Sequence, residues 1–325
     1  MNKLALFASL TAVSLMISGC GQKSGGDTSN TAAPATKGTI AVIPKGTTHV
    51  YWQSVHAGAE AAAKELGYKI YWNGPERETD RERQIQIIED FIVQKVDGVV
   101  LAPLDRAALV PSVEKLASLK IPTVIIDSGI DTDKYVTFAA TDNYQGGVLA
   151  ARRMGKILNG KGNVIVLKYV PGSASTTDRE NGFIETIQKE FPDIKVVDSK
   201  YGQDTVETAL QAAEDLLTKN KDVQGFYACN APTSVGALQA LQSQHRSEIK
   251  MVGFDAEKAL LDGLKAGQID ALIVQNPYKM GYIGVKSVVA AIHGEKVDKK
   301  IDTGVAVVTK DSLNDPDTKA LLNIQ

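Results

Sequence analysis

Only two cysteines occur in the 325 residues, Cys20 and Cys229, so no framework of several disulfides holds this chain together. Charge of one sign is also scarce. Lys and Arg number 36 against 38 Asp and Glu, for a formal net charge of −2 and a pI near 6.1. With no basic patch interleaved with aromatics, a nucleic-acid partner is excluded. The four histidines, His49, His56, His245 and His293, are scattered, and none belongs to an HExxH pair. There is no G-x-S-x-G elbow, no P-loop and no Cys-x-x-Cys. These absences predict no catalytic residue, no metal site and no cofactor. The apolar run at residues 4–18 is too short for a stable transmembrane helix.

That run has another use. Lys3 precedes it, and ISGC, ending at Cys20, closes it with small residues before a cysteine. This resembles a bacterial lipobox rather than an A-x-A-like signal-peptidase site. The resemblance implies a lipoprotein signal peptide at 1–19, cleavage before Cys20, and lipid on that residue. Residues 20–38, GQKSGGDTSNTAAPATKG after the cysteine, contain almost nothing that could enter a core. They read as a flexible tether with a mean reach on the order of 20–25 Å. Roughly 300 residues remain, enough for two lobes of ordinary size. With Cys20 lipidated, Cys229 stands alone inside the apolar GFYACN and reads as buried packing.

From Thr39 a short apolar strand, a turn and an amphipathic helix repeat. Strands read as TIAVIP, KIYWNG, GVVLAP, PTVIID and VTFAAT, then NVIVLKY, KVVDSKY, GFYACN, KMVGFD and ALIVQN. Helical patterns at 80–95, 107–119, 144–158 and 205–219 separate several of them. Near-continuous apolar strands alternating with helices mean parallel sheet covered on both faces. Ten strands are too many for one small sheet, and the second series restarts the first. Two similar α/β lobes follow.

In an open α/β sheet, ligands bind beyond the carboxyl ends of the strands. The first strand leads through a Gly- and Thr-rich turn to His49, Tyr51 and Trp52, where flat apolar rings suit a sugar or base. Later strands end in Asp127–Ser128, Asp142–Asn143, Asn230, Asp255 and Gln275–Asn276. Each alone makes a good cap or turn residue, and Asp105 and Asp142–Asn143 read most simply that way. Together, carboxylates that accept from paired hydroxyls and amides that donate and accept suit a neutral polyhydroxylated ligand.

The order and spacing of six pieces carry a resemblance: TVIIDSG (123–129), TDN with GG (141–147), ASTTDRENGF (174–183), FYACNAPTSVGALQAL (226–241), VGFD (252–255) and VQNPYKMGYIGV (274–285). From Thr39 to about Thr309 the chain resembles a ribose/galactose-type periplasmic sugar-binding protein, the type I substrate-binding protein of an ABC importer. The resemblance implies two doubly wound parallel-sheet lobes joined by a three-crossing hinge, with 39–141 plus 277–302 in one lobe and 142–276 plus 303–325 in the other. It implies a ligand set of His49, Tyr51, Trp52, Asp127, Asn230, Asp255 and Gln275, with Ser128 and Thr177 where ribose binders place arginines. Arg179 matches a neighbouring arginine given a structural role. An asparagine of the family is replaced by Ala102, and an expected aromatic near residues 201–204 has no clear match. Losing two guanidinium forks removes bidentate donors, which speaks against D-ribose itself and leaves another pentose, a hexose or a polyol.

The expected function is an extracytoplasmic, lipid-anchored receptor, monomeric, that delivers a small neutral sugar or polyol to an ABC permease, with a chemoreceptor as a further candidate partner. A nucleoside-binding lipoprotein, with a base between Tyr51 and Trp52, and an envelope hydrolase using Asp127 and Asp255 are the alternatives. A sugar-responsive repressor would need a helix-turn-helix where the tether stands.

Overall fold

The structure, a computed structural model, describes residues 36–322. The expected signal peptide, Cys20 and nearly all of the expected tether lie outside the described residues.

The first half alternates β1 (Thr39–Ile43), α1 (Val50–Leu66), β2 (Lys69–Trp72), α2 (Arg81–Gln94), β3 (Gly98–Leu101), α3 (Val110–Ser118), β4 (Thr123–Ile126) and β5 (Phe138–Ala140). The second runs α4 (Asn143–Ile157), β6 (Lys161–Lys168), α5 (Ala174–Glu190), β7 (Asp193–Tyr201), α6 (Val206–Lys219), β8 (Gly225–Ala228), α7 (Ala231–Ser243), β9 (Lys250–Phe254), α8 (Lys258–Ala266) and β10 (Ala271–Gln275). Then come α9 (Pro277–Ile292), β11 (Lys300–Asp302), β12 (Val305–Val308), a 3₁₀ turn at Asp311–Asn314 and α10 (Pro316–Leu322).

The strands form two six-stranded sheets in matching order, β2-β1-β3-β4-β5-β11 and β7-β6-β8-β9-β10-β12. All ten strands expected from the sequence are present. Two short ones, β11 and β12, were not anticipated, because KID and VAVV are too brief to carry a period. β12 also departs from the parallel pattern, pairing antiparallel with β10.

Alternation along each central strand feeds two cores. Ile40 and Val42 of β1 face α1 and α9, while Ala41 and Ile43 face α2 and α3. β6 repeats the scheme, with Val164 and Val166 toward α4 and α5 and Ile165 and Leu167 toward α6 and α7. A strand apolar on both faces is what a doubly covered sheet requires.

The chain passes between the sheets three times: from β5 into α4, from β10 into α9, and from β11 to β12. Each crossing helix completes the far lobe. α9 packs on α1 and the first sheet, and α4 on α5 and the second. Both helix pairs meet through reciprocal glycines. A Cβ on Gly281 would lie 1.9 Å from Val55 O, and one on Gly58 2.0 Å from Tyr278 O. The α4–α5 pair repeats this, with Gly147 at 2.1 Å from Arg179 O and Gly182 at 2.2 Å from Tyr144 O. Only glycine admits so close a crossing.

Candidate functional site

The carboxyl ends of both sheets face one cavity of about 40 Å³. From the first lobe come Lys45, His49, Tyr51, Trp52, Glu78 and Asp127; from the second, Tyr169, Ser175, Thr176, Arg179, Asn230, Asp255 and Gln275. A space of that size holds a few water molecules while the lobes are together.

Asp127 and Asp255 occupy equivalent places, after β4 and after β9. Both are buried, and both have left-handed backbone, with φ of 63° and 72°. A non-glycine residue held there stores strain, which is characteristic of ligand clamps. The conformation turns each carboxylate back over its strand end. Asp127 Oδ1 accepts from Tyr51 OH at 2.9 Å, and Oδ2 is 2.8 Å from Lys45 Nζ. Asp255 Oδ1 accepts from Gln275 Nε2 at 2.7 Å and Oδ2 from the Ala231 amide at 2.8 Å. Burial pushes the Asp255 carboxyl above the usual range, although Arg179, Gln275 and Ala231 N draw it back down.

The rings are fixed too. Tyr51 and Trp52 meet edge to face at 5.0 Å and 89°. Trp52 is 2 % exposed and packs in the first-lobe core while also lining the cavity. Its indole N–H donates to Glu78 Oε1 at 2.7 Å, and Tyr169 OH donates to Glu78 Oε2 at 2.9 Å from the opposite lobe. Arg179 donates through Nε to Asn143 Oδ1 and through Nη1 to the Cys229 carbonyl, with its plane 3.9 Å over Phe254. Those bonds leave further guanidinium N–H groups for a ligand. Gln275 Oε1 is buried without a partner.

Other bonds cross from lobe to lobe around the cavity. Lys45 Nζ donates to Ser175 Oγ at 3.0 Å and Ser173 Oγ at 3.4 Å. Asp204 accepts from Arg77 Nε at 3.2 Å, from Arg77 Nη2, and from Thr79 Oγ1 at 3.0 Å, and its carbonyl takes His49 Nε2 at 3.1 Å. Burial would raise the Asp204 carboxyl, but the bonds from Arg77 and Thr79 outweigh it and hold the group below the usual range.

Seven of the nine expected ligand residues come together here: His49, Tyr51, Trp52, Asp127, Asn230, Asp255 and Gln275. Ser128 and Thr177 do not line the cavity. Ser128 lies behind it, fully buried, bonded to the amide of Ser175 at 3.0 Å. Thr177 is half-buried on α5, one residue past Thr176, which does face inward. Asp142 caps α4 as expected, whereas Asp105 accepts from the Ala107 and Ala108 amides of a turn ahead of α3, whose N-cap is Leu109. Cys229 is buried with its thiol pushed up by burial.

Six polar wall residues were missed, Thr176 on α5 among them. Lys45 and Tyr169 stand just past β1 and β6, so the strand-end rule would have found them. Arg179 was seen and assigned to structure; only its place over Phe254 brings it to the cavity. Glu78, in the connection from β2 to α2, and Ser175 on α5 carry no signal. No aromatic near residues 201–204 lines the cavity: Tyr201 is 41 % exposed, and the second lobe's ring in the wall is Tyr169. Among the described residues, no three His, Cys, Asp or Glu side chains are grouped to hold a metal, and no helix is long and apolar enough to cross a membrane.

Fold and cavity together define a two-lobed α/β binding protein. A family profile described as a periplasmic binding protein domain matches residues 40–296, and the chain belongs to that family. It is 29 % identical over 260 residues to the ribose import binding protein of Bacillus subtilis, covering 80 % of this chain and 83 % of the relative. A carbohydrate transporter solute binding protein from Agrobacterium radiobacter, solved in complex with D-arabinose, superposes with a TM-score of 0.87 at 37 % identity, over 90 % of this chain and 100 % of the other. An ABC transporter solute binding protein from Agrobacterium vitis with bound D-fucose gives 0.84 at 37 % identity, over 87 % and 99 %.

Proposed function

We propose that this chain is the extracytoplasmic solute-binding component of an ABC importer, closing its two lobes on one small neutral sugar or polyol. One observation carries the reading: acids, amides and rings from both sheets surround a single cavity. Lys45 and Arg179 nearly balance Glu78, Asp127 and Asp255, which suits an uncharged ligand. The buried carboxylates offer strong acceptors to hydroxyl groups, and Arg179 and Asn230 supply donors. Relatives that bind D-arabinose and D-fucose support the class without choosing between them.

The lobes are residues 39–141 plus 277–302 and 142–276 plus 303–325. The protein works as a monomer anchored through Cys20, hands its ligand to permease subunits, and is open to a chemoreceptor on the same closed form. It carries out no chemistry. The nucleoside alternative needs a parallel slot between Tyr51 and Trp52, whereas those rings stand at 89°. The hydrolase alternative needs a free carboxyl pair, and both Asp127 and Asp255 are engaged on each oxygen.

A thermal-shift screen of pentoses, hexoses and polyols against nucleosides tests the class, followed by calorimetry. Trp52→Ala and Asp255→Ala are expected to weaken sugar binding at least tenfold, about 1.4 kcal/mol, while the ligand-free protein stays folded. A nucleoside hit, or unchanged affinity in both variants, would overturn the assignment.

A further inference from the structure

Beside the first cavity of about 40 Å³ lies a second chamber of about 200 Å³. Tyr51, Asp255 and Gln275 line both spaces and form the wall between them. Beyond that wall the lining is mixed: Val50 and Tyr278 from the first lobe and Ala256, Val274, Leu321 and Leu322 from the second are its apolar part, and Ser54, Glu257 and Asn276 its polar part. The chamber therefore exists only while the lobes are together, and what fills it is held along with the ligand. Its mouth opens at Val50 and Tyr278, which are 57 % and 40 % exposed.

We propose that this chamber receives the aglycone of a glycoside whose sugar ring sits in the first cavity, so that the ligand class extends from free sugars to glycosides with a small apolar aglycone. The inference rests on the sugar-binding reading above. Continuity supports it, since a substituent leaving the ring on the Gln275 side meets the chamber directly. In the partition the Gln275 amide is tied only through Nε2 to Asp255, with Oε1 unpartnered. The walls support it as well, because water among apolar side chains is poorly held and an apolar group displaces it with a gain. Glu257 sets the charge. It is half-buried at the start of α8 with no side-chain capping bond, and burial, then Asp255, pushes its carboxyl up. An anionic substituent such as a phosphate or carboxylate would be repelled there, so the occupant is not an anion.

Calorimetry on the full chain tests this with D-arabinose and D-fucose, their methyl glycosides and their phenyl glycosides in both anomers. One anomer of the phenyl glycoside is expected to bind about tenfold more tightly than its free sugar, from the aromatic area it buries. Ala256→Phe, which fills the chamber without touching the first cavity, should abolish that gain and leave the free sugar within twofold. Leu322→Trp at the rim serves as a second filling variant should Ala256→Phe fail to fold. Glycosides of both anomers binding a hundredfold more weakly than the free sugar would overturn the proposal. So would filling variants that weaken free sugar and glycoside alike. If no free sugar binds at all, the sugar-binding reading itself falls, and this one with it.

Discussion

Asp204 touches no part of the ligand cavity, yet three first-lobe side chains converge on it. Its carboxylate takes Arg77 in a fork and Thr79, and its carbonyl takes His49. Asp204→Ala removes the side-chain bonds and keeps the carbonyl. A charge-assisted hydrogen bond contributes about 1.5–3 kcal/mol when shielded. Here the Arg77 side chain is 56 % exposed while that of Asp204 is 1 % exposed, so screening and side-chain entropy reduce the net value. About 1–2 kcal/mol is left, a factor of 5–30 in the closing equilibrium. Arg77 can return to water, so no buried charge is stranded. Every ligand must draw the lobes together, so each should lose affinity by the same factor, with the ranking among sugars unchanged. Most of the loss should lie in the dissociation rate. Calorimetry gives the affinities and stopped-flow fluorescence the rates. Arg77→Ala combined with Asp204→Ala should weaken binding little further than Asp204→Ala alone. Unchanged affinity, or a loss that differs among sugars, would refute the latch.

Other perturbations separate closing from folding. Lys45→Met strands Asp127 in the closed cleft and should cost about 3–5 kcal/mol of ligand binding. Urea denaturation of the ligand-free protein should shift by less than about 1 kcal/mol, because an open cleft lets water reach the carboxylate. Gly281→Ala brings a methyl to 1.9 Å from Val55 O and forces α1 and α9 apart, so a loss of about 3 kcal/mol is expected in the same urea assay, with or without sugar. For pH, the raised Asp255 carboxyl keeps its proton above the ordinary value near 3.9. Between those two values the folded state holds more protons than the unfolded one, so this group's contribution to stability falls as pH rises. Sugar affinity, which uses the anionic form, should instead fall as pH drops through the same window. Calorimetry from about pH 7 to about pH 4 should show that decline in the native protein and a flatter profile in Asp255→Asn.

Much of the fold was legible because both faces of each sheet are covered, which turns strands into unbroken apolar runs such as TIAVI and GVVL. The strand-end rule likewise found Asp127, Asn230, Asp255 and Gln275, since the carboxyl ends of parallel strands converge on one cleft. What escaped depends on distance in space. Glu78 reaches the cavity from a loop with no period, and its role appears only through Tyr169 on the opposite lobe. Arg179 sits in the middle of α5, where spacing alone cannot tell a buried guanidinium with spare N–H groups from a structural one. Ser128 follows a ligand-facing aspartate, yet the left-handed turn at Asp127 sends its side chain behind the wall toward Ser175.

The exchange of α4 and α9 has a consequence for biogenesis. The first sheet lacks its α9 cover until residue 292 of 325 has been synthesised, and its edge strand β11 comes later still. No stretch cut from the N-terminal part alone contains a finished lobe. A nascent chain that cannot settle early stays unfolded for longer, a state suited to threading through a secretory channel before its body assembles on the far side.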